Sequence, residues 1–297
     1  MRAVDDEGNV LVTGACGLVG HAVWDIMSST RRPILPVDVS PDATKNVVHC
    51  DLTSKNEVSR LFHTHAIRAV IHLAGVLPSA FQSDPLGGAD VNLSGSFALM
   101  RQALDAGVKR FVFASSMSVY GSRSTSRPLT EDDPAVPEEP YGASKRAVEL
   151  IGEALRNGTA LQFVALRIAR VVGPGTRKTS SPWRSQIFEP PRQLDSIHIP
   201  FSPEATLSLV HVEDVARMLI TLADTVAMSS TVYNTPAETW KAKHFKQVIE
   251  ELRGLSVQLT QGEAQGGPLC DGSRFEREFG FRLRGLRDHL SDSIKNK

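Results

Sequence analysis

Tyr141 and Lys145 stand four residues apart in Tyr141-Gly142-Ala143-Ser144-Lys145, directly after Pro140. Proline favours the first position of a helix, so the spacing puts phenol and amine on one helix face. A phenol ordinarily titrates near pH ~10, too high for a general base near neutrality, and a neighbouring ammonium lowers it by favouring the phenolate. The pair therefore predicts Tyr141 as the group that takes a proton from a hydroxyl while the carbon beneath gives up hydride. Upstream, Ser115-Ser116-Met117-Ser118 supplies hydroxyls able to orient the substrate oxygen. Taken singly, a Tyr-Lys pair also suits an exposed helix and a serine cluster a turn.

What lifts the pair above that alternative is a glycine loop near the start of the chain. Gly14-Ala15-Cys16-Gly17-Leu18-Val19-Gly20 follows a β-type run and opens a helical one, the context in which a pyrophosphate rests on a helix N-terminus. Asp38 ends the next β-type run, 18 residues after Gly20. There a carboxylate accepts the adenosine ribose hydroxyls and repels a 2′-phosphate, favouring NAD over NADP. The alternative for Asp38 is a solvated residue starting the turn Asp38-Val39-Ser40-Pro41. Asp51-Leu52 and His72-Leu73-Ala74-Gly75 end two further runs at the edge where cofactors bind. Asp51 alternatively caps a helix, and His72 reads as a buried, hydrogen-bonded imidazole.

The elements that must position these groups alternate along the chain. Apolar β-type runs at Val10–Thr13, Ile34–Val37, Val47–Cys50, Ala69–Leu73, Arg110–Ala114 and Phe163–Leu166 are separated by helical periodicity at Leu18–Met27, Lys55–His65, Gly88–Ala106 and Tyr141–Arg156. This predicts an α/β fold, a doubly wound parallel (Rossmann) sheet with a smaller C-terminal substrate-binding lobe. The expected division is 1–170 for the dinucleotide-binding domain with its Tyr/Lys helix, and 171–297 mainly for the lobe, with 210–235 returning to the first domain. Gly121–Pro140 reads as a surface loop, and the Pro-, Ser- and Arg-rich Gly173–Pro203 as substrate loops.

Composition narrows the partners. Lys plus Arg and Asp plus Glu number 33 each in 297 residues, with 41% apolar and 22% charged. No basic field recruits nucleic acid. The start Met1-Arg2-Ala3-Val4-Asp5-Asp6-Glu7 lacks a secretory pattern and no apolar run reaches membrane-spanning length, so a cytoplasmic protein is expected. Cys16, Cys50 and Cys270 are far apart and odd in number, and read as reduced thiols with no metal site.

Taken together, the chain resembles an extended short-chain dehydrogenase/reductase of the NAD-dependent epimerase/dehydratase family. The resemblance is carried by Gly14–Gly20, Asp51-Leu52, His72–Gly75, Asn92-Leu93-Ser94-Gly95, Ser115–Gly121, Tyr141–Lys145, Leu166-Arg167, Gly173-Pro174-Gly175, His211-Val212-Glu213-Asp214-Val215 and Asp271-Gly272-Ser273-Arg274. It implies NAD as cofactor, Lys145 also on the nicotinamide ribose, Ser116 as the catalytic hydroxyl, Asn92 by the cofactor and Ser118 facing the substrate. It also implies a homodimer in which the Gly88–Ala106 and Tyr141–Arg156 helices build a four-helix bundle.

The family contains dehydrogenases, epimerases and dehydratases, and shared machinery does not choose among them. Its dehydratases carry an Asp-Glu pair where this chain has Met117 and Ser118. Its nucleotide-sugar epimerases carry an Asn and an Arg, both serving the diphosphate, where this chain has Arg170 and Leu207. Asp38-Val39-Ser40-Pro41 and the loop Ser181-Pro182-Trp183-Arg184 resemble sugar-acid dehydrogenases of the same family. The expected substrate is therefore a small carbohydrate bearing a carboxylate, held by Arg170 or Arg184 and bordered by Ser116, Met117, Ser118 and Tyr141. The alternatives are a solvated Arg184, an Arg170 paired with Glu213 or Asp214, a nucleotide-sugar 4-epimerase, and a protein that holds NAD without turning it over.

Overall fold

The computed structural model describes residues 8–41, 46–122, 124–175, 181–189, 196–262 and 265–295. The β-type runs pair as expected: β1 (Asn9–Thr13), then helix α1 (Leu18–Ser29), β2 (Ile34–Asp38), β3 (Val48–His49), α2 (Lys55–Thr64) and β4 (Ile67–His72). Short helices α3 (Pro78–Ser83) and α4 (Pro85–Ala89) precede a π-helical stretch, Asp90–Gly95, that continues into α5 (Ser96–Asp105). Next come β5 (Arg110–Ser116), a 3₁₀ turn at Met117–Tyr120, α6 (Pro140–Gly158), β6 (Gln162–Ile168), β7 (Arg170–Val172), α7 (Trp183–Gln186), β8 (Ser196–Ile199), β9 (Thr206–His211) and α8 (Val212–Asp224). The chain ends with β10 (Val232–Asn234), β11 (Glu238–Lys241), α9 (Ala242–Arg253), β12 (Ser256–Leu259), α10 (Ser273–Phe279) and α11 (Leu286–Lys295).

Seven strands form one parallel sheet in the order β10-β6-β5-β4-β1-β2-β3. Chain order reverses between β1 and β4, and the carboxyl ends of strands on either side open the crevice where such folds bind ligands. Because helices cover both faces, the central strands are apolar on both: Val10, Leu11 and Val12 are all fully buried. The register aligns Leu11, Val70, Phe111 and Phe163 across four strands on one face, where they pack with Leu99 of α5 and Val148 of α6. Val12, Ile71, Val112 and Val164 face the other way, onto Met27 of α1 and Leu219 and Leu222 of α8.

A third core, built around Trp183, Ile197, Leu207, Phe245 and Leu290, belongs to the smaller lobe. Its sheets are β11-β9-β7 and β12-β8. Residues 212–234 leave that lobe, since α8 covers the main sheet and β10 extends it beside β6.

Three expectations are corrected. The Gly88–Ala106 helix is interrupted by the π-helical turn, whose extra residue swings Asn92 and Gly95 inward to be buried. The third strand shrinks to two residues at the sheet edge, although the Cys50 amide still donates to the Asp38 carbonyl at 3.0 Å. Gly173–Pro203 contains α7 and β8, which owe their order to burial of Trp183 and Ile197 in the lobe core rather than to local periodicity. The first seven residues, and 176–180 and 190–195 of that stretch, lie outside the described residues. Among those described, no helix is long and apolar enough to cross a membrane.

Candidate active site

The glycine loop sits where sheet order reverses. Gly14 has φ +68°, and a Cβ there would lie 2.7 Å from the Ala74 amide nitrogen after β4, so only glycine fits. A Cβ on Gly20 would lie 2.3 Å from the Gly14 carbonyl oxygen. Gly17 begins α1 with no side-chain cap and no acid in the first turn, which leaves the positive end of the helix, with Leu18 and Val19, available to an anion. Thr13 Oγ1 accepts hydrogen bonds from the Leu73 and Ala74 amides at 3.2 Å each, fixing the two strand ends together. His72 is fully buried between Thr13 Oγ1 at 2.7 Å and Ser96 Oγ at 2.8 Å, and burial, then the Lys145 charge, pushes its pKa down to about 3. It is the neutral structural imidazole that its sequence position suggested.

Asp38 closes the loop from the far side. One carboxylate oxygen accepts from the Cys16 amide at 3.0 Å and the other from the Ser40 amide at 2.9 Å. Two backbone bonds fix its orientation at the end of β2 while each oxygen keeps further lone pairs. Asp51 spends one oxygen on the Thr53 amide and hydroxyl, and the helix behind it is capped by Ser54 instead. Leu52 is buried, and a Cβ on Gly95 would meet its side chain at 3.1 Å. Uncapped helix start, glycine cradle and terminal carboxylate together fit a dinucleotide.

A cavity of about 690 Å³ extends from Val19, Leu73 and Gly75 across the carboxyl edge to the smaller lobe, and Ser116, Met117, Ser118, Tyr141, Lys145, Arg170 and Arg184 all line it. The structure thus brings the expected catalytic and substrate residues to one space. Asn92 is buried beside it. Its amide oxygen accepts from the Val76 amide at 2.7 Å and its nitrogen donates to Val76 O and Ser144 Oγ. A Cβ on Gly75 would lie 3.1 Å from Asn92 Oδ1 and 3.5 Å from Lys145 Nζ, so glycine lets both groups reach the same point of the cavity wall.

Tyr141 and Ser116 both line the cavity, and Ser116 acts to lower the Tyr141 pKa. Ser116 Oγ itself donates to Ser118 Oγ and accepts from the Ser118 amide, both at 3.1 Å. Tyr141 does not have the lowered pKa its neighbour predicted. Burial pushes it up to about 12, opposed by Ser116 and by the Arg184 charge. Lys145 Nζ donates to the Ala114 carbonyl at 2.9 Å and lies 5.7 Å from the Tyr141 ring centre. Burial brings this amine down to about 8, opposed by the charge of Glu149. Helix spacing delivered the two side chains to one face, but desolvation is the largest influence on both.

Arg170 follows the same rule. Its guanidinium stacks over Phe201 at 4.5 Å and Nη2 donates to the Gly266 carbonyl, while Nε and Nη1 are buried with no hydrogen-bond partner. Arg184 Nε is likewise buried and unpartnered. Burial, then the charge of Arg184, lowers the pKa of Arg170 to about 10. Burial also lowers Arg184, against the pull of Tyr141. Glu213 and Asp214 do not serve Arg170: Asp214 pairs with Arg217 at 3.0 Å and faces His289, as does Glu213. Nor is Arg184 a solvated loop residue.

Sequence reading missed the wall formed by Ser79, Phe81 and Gln82 of α3 and by Gly266–Pro268. Pro78 marks the start of α3, but a helix of six residues is too short for periodicity to register. It also missed the cluster of His211, Glu213 and His289. The two imidazoles are stacked 3.6 Å apart with planes at 17°, so their in-plane lone pairs run side by side and do not converge on one point.

Comparisons with known proteins agree with this geometry. A UDP-glucose 4-epimerase of Azospirillum brasilense is 34% identical over 179 residues, 55% of this chain and 49% of that one, so the matched stretch is about half the length of this curated relative. The structure of MoeE5 in complex with UDP-glucose and NAD is 30% identical, covers 97% of this chain and 98% of its own, and superposes with a TM-score of 0.81. An L-threonine dehydrogenase from Phytophthora infestans shares the fold with a TM-score of 0.88 at 19% identity, over 97% and 98% of the two chains. The model of the NAD dependent epimerase/dehydratase family matches residues 10–235. The chain belongs to that family, and NAD is its cofactor.

Proposed function

We propose that this chain is an NAD-dependent dehydrogenase that oxidises a hydroxyl-bearing carbon of a small carbohydrate acid. NAD supplies the hydride acceptor when bound. Tyr141 takes the hydroxyl proton, Ser116 holds the same oxygen, and Lys145 favours the phenolate from one helical turn away. Gly14, Gly17, Leu18, Val19 and Gly20 cradle the pyrophosphate and Asp38 the adenosine ribose. Asp51, Leu52, Leu73, Ala74, Gly75 and Asn92 border the rest of the dinucleotide.

The observation that carries the substrate reading is the pair Arg170 and Arg184. Three of their N–H groups are buried without a partner, and no carboxylate among the described residues forms an ion pair with either. An unpaired buried donor costs about 1–3 kcal/mol, more when charged. A ligand carboxylate removes that cost with the parallel bonds a guanidinium fork favours. The same two side chains hold a carboxylate close to Tyr141, an anchor that leaves little freedom for a ketone to turn over before hydride returns. A nucleotide-sugar 4-epimerase is the second reading, favoured by the sequence likeness to the Azospirillum enzyme.

We also propose a cytoplasmic homodimer in carbohydrate metabolism. No disulfide joins Cys16, Cys50 or Cys270, in keeping with a reducing compartment. Leu150 and Ile151 on α6 are about half exposed, at 49% and 47%, on one of the helices expected to build the four-helix bundle. Equilibrium sedimentation is expected to give the mass of two chains, and a single-chain mass would end the dimer.

Tyr141→Phe is expected to lower kcat by about 10²–10⁴ while NAD binding, read by calorimetry, stays within a few-fold. A near-normal rate would show that another group is the base. Asp38→Ala is expected to narrow the preference for NAD over NADP by at least about ten-fold in kcat/KM, because it removes the like charge facing a 2′-phosphate. An unchanged ratio places discrimination elsewhere. Across a panel of aldonates, uronates and nucleotide sugars, NADH should form with the acids. Arg170→Ala and Arg184→Ala should each raise KM for the active acid about ten- to a hundred-fold. Arg184→Ala should lower kcat as well, since its charge acts on Tyr141. Activity confined to nucleotide sugars favours the epimerase reading and overturns the acid.

A further inference from the structure

Behind the cavity wall lies a carboxylate that the reading above does not use. Glu149 is one turn beyond Lys145 on α6 and 1% exposed. Its Oε1 accepts from Ser115 Oγ at 2.5 Å and from Arg167 Nε at 2.9 Å. Its Oε2 accepts from Arg167 Nη2 at 2.8 Å and Arg146 Nη1 at 3.0 Å. Arg167 continues the chain of contacts, donating to the Tyr120 hydroxyl at 2.6 Å, which bonds the Thr130 carbonyl at 2.8 Å.

These contacts converge on the working groups. Ser115 precedes Ser116 at the end of β5, and Ala114, whose carbonyl holds Lys145, precedes Ser115. Arg167 is the register partner of Ser115 on β6, and Tyr120 ends the turn that carries Ser118. One side chain therefore ties α6, β5 and β6 at the level of the cavity. Such a pair is costly to bury, and packing alone would be served as well by apolar residues of similar size. All four hydrogen bonds of Glu149 go to Ser115, Arg146 and Arg167, on the elements that carry the working groups.

We propose that Glu149 is the positioning residue of this site, locking α6 to the ends of β5 and β6 so that Ser116, Tyr141 and Lys145 keep their spacing, and supplying the buried negative charge that holds Lys145 as an ammonium. The inference rests on the reading of Tyr141 and Lys145 as the proton-handling pair. Lys145→Met turning over at the normal rate would end that reading, whereas the titration of Lys145 tests Glu149 without reference to turnover.

The experiment is heteronuclear NMR of protein labelled with ¹³Cε-lysine, the Lys145 signal being assigned with Lys145→Arg. In the native protein Lys145 should titrate near pH 8. In Glu149→Gln it should titrate about one unit lower, because losing a nearby anion disfavours the ammonium. At pH 8 kcat should then fall about five-fold, the ratio of ammonium remaining, with the KM of the acid substrate within about two-fold. Glu149→Asp keeps the charge and should return the titration to its native position. Should Glu149→Gln fail to fold around an unpaired Arg167, the double variant Glu149→Gln with Arg167→Met is compared with Arg167→Met alone; the two differ only in the charge at position 149, and the double variant should titrate lower. Lys145 titrating at its native position in folded Glu149→Gln, or at the same position in the two Arg167→Met variants, overturns the proposal, even if the melting temperature falls.

Discussion

Burial of cations beside a phenol is the constraint on which the rest of this site depends. Lys145, Arg170 and Arg184 line one cavity with Tyr141, and for every one of them desolvation is the largest influence on its titration. Desolvation favours the neutral form of each group, whereas proton abstraction needs a phenolate among cations. Only neighbouring charge reconciles the two. The sheet dictates that these groups meet here, since its faces are sealed by α1 and α8 on one side and α2, α5 and α6 on the other, leaving the carboxyl edge for polar groups.

Much of the frame was legible because it is local. Six of the seven sheet strands are continuous apolar runs, and glycines bracket the first turn as close approach of β1, β4 and α1 demands. Tyr141 and Lys145 were legible because a helix fixes which residues share a face. The protonation states were not. Spacing says that an ammonium stands near a phenol, but how dry both are, and that Lys145 turns to the Ala114 carbonyl, is decided by Phe113, Ala114 and Gly75 from distant parts of the chain. Likewise Arg170 was visible as a cation near the substrate loops. Its isolation from Glu213 and Asp214 depends on Arg217 and on His289 of the last helix, contacts that no local pattern encodes.

The π-helical turn and α3 were illegible for a related reason. Asp90–Gly95 reads Asp-Val-Asn-Leu-Ser-Gly, mostly weak helix formers, and nothing in it specifies a π turn rather than a plain break. Its extra residue is set by Asn92 bonding both backbone groups of Val76, a contact spanning 16 positions. The gain is functional placement: the turn carries Asn92 to the wall beside Lys145, where a straight helix would rotate it away.

Charge magnitudes divide the work between the two arginines. Bringing a phenol from about 12 to near neutrality, about five units, needs roughly 7 kcal/mol of differential interaction. One unit charge about 4 Å away contributes on the order of 4 kcal/mol at an effective dielectric of about 20. A single ammonium therefore falls short. The charge of Arg184 is already contained in the value of about 12, so Lys145 and further positive charge must supply what remains. A substrate anion that neutralised Arg184 would cancel its share. Arg170 offers a way out of the conflict: it is held by Phe201 and Gly266 and keeps two buried nitrogens without a partner. Under the acid substrate proposed above, Arg170 would carry most of the carboxylate's charge and leave Arg184 a cation beside the phenol, so that binding would not disarm the proposed base.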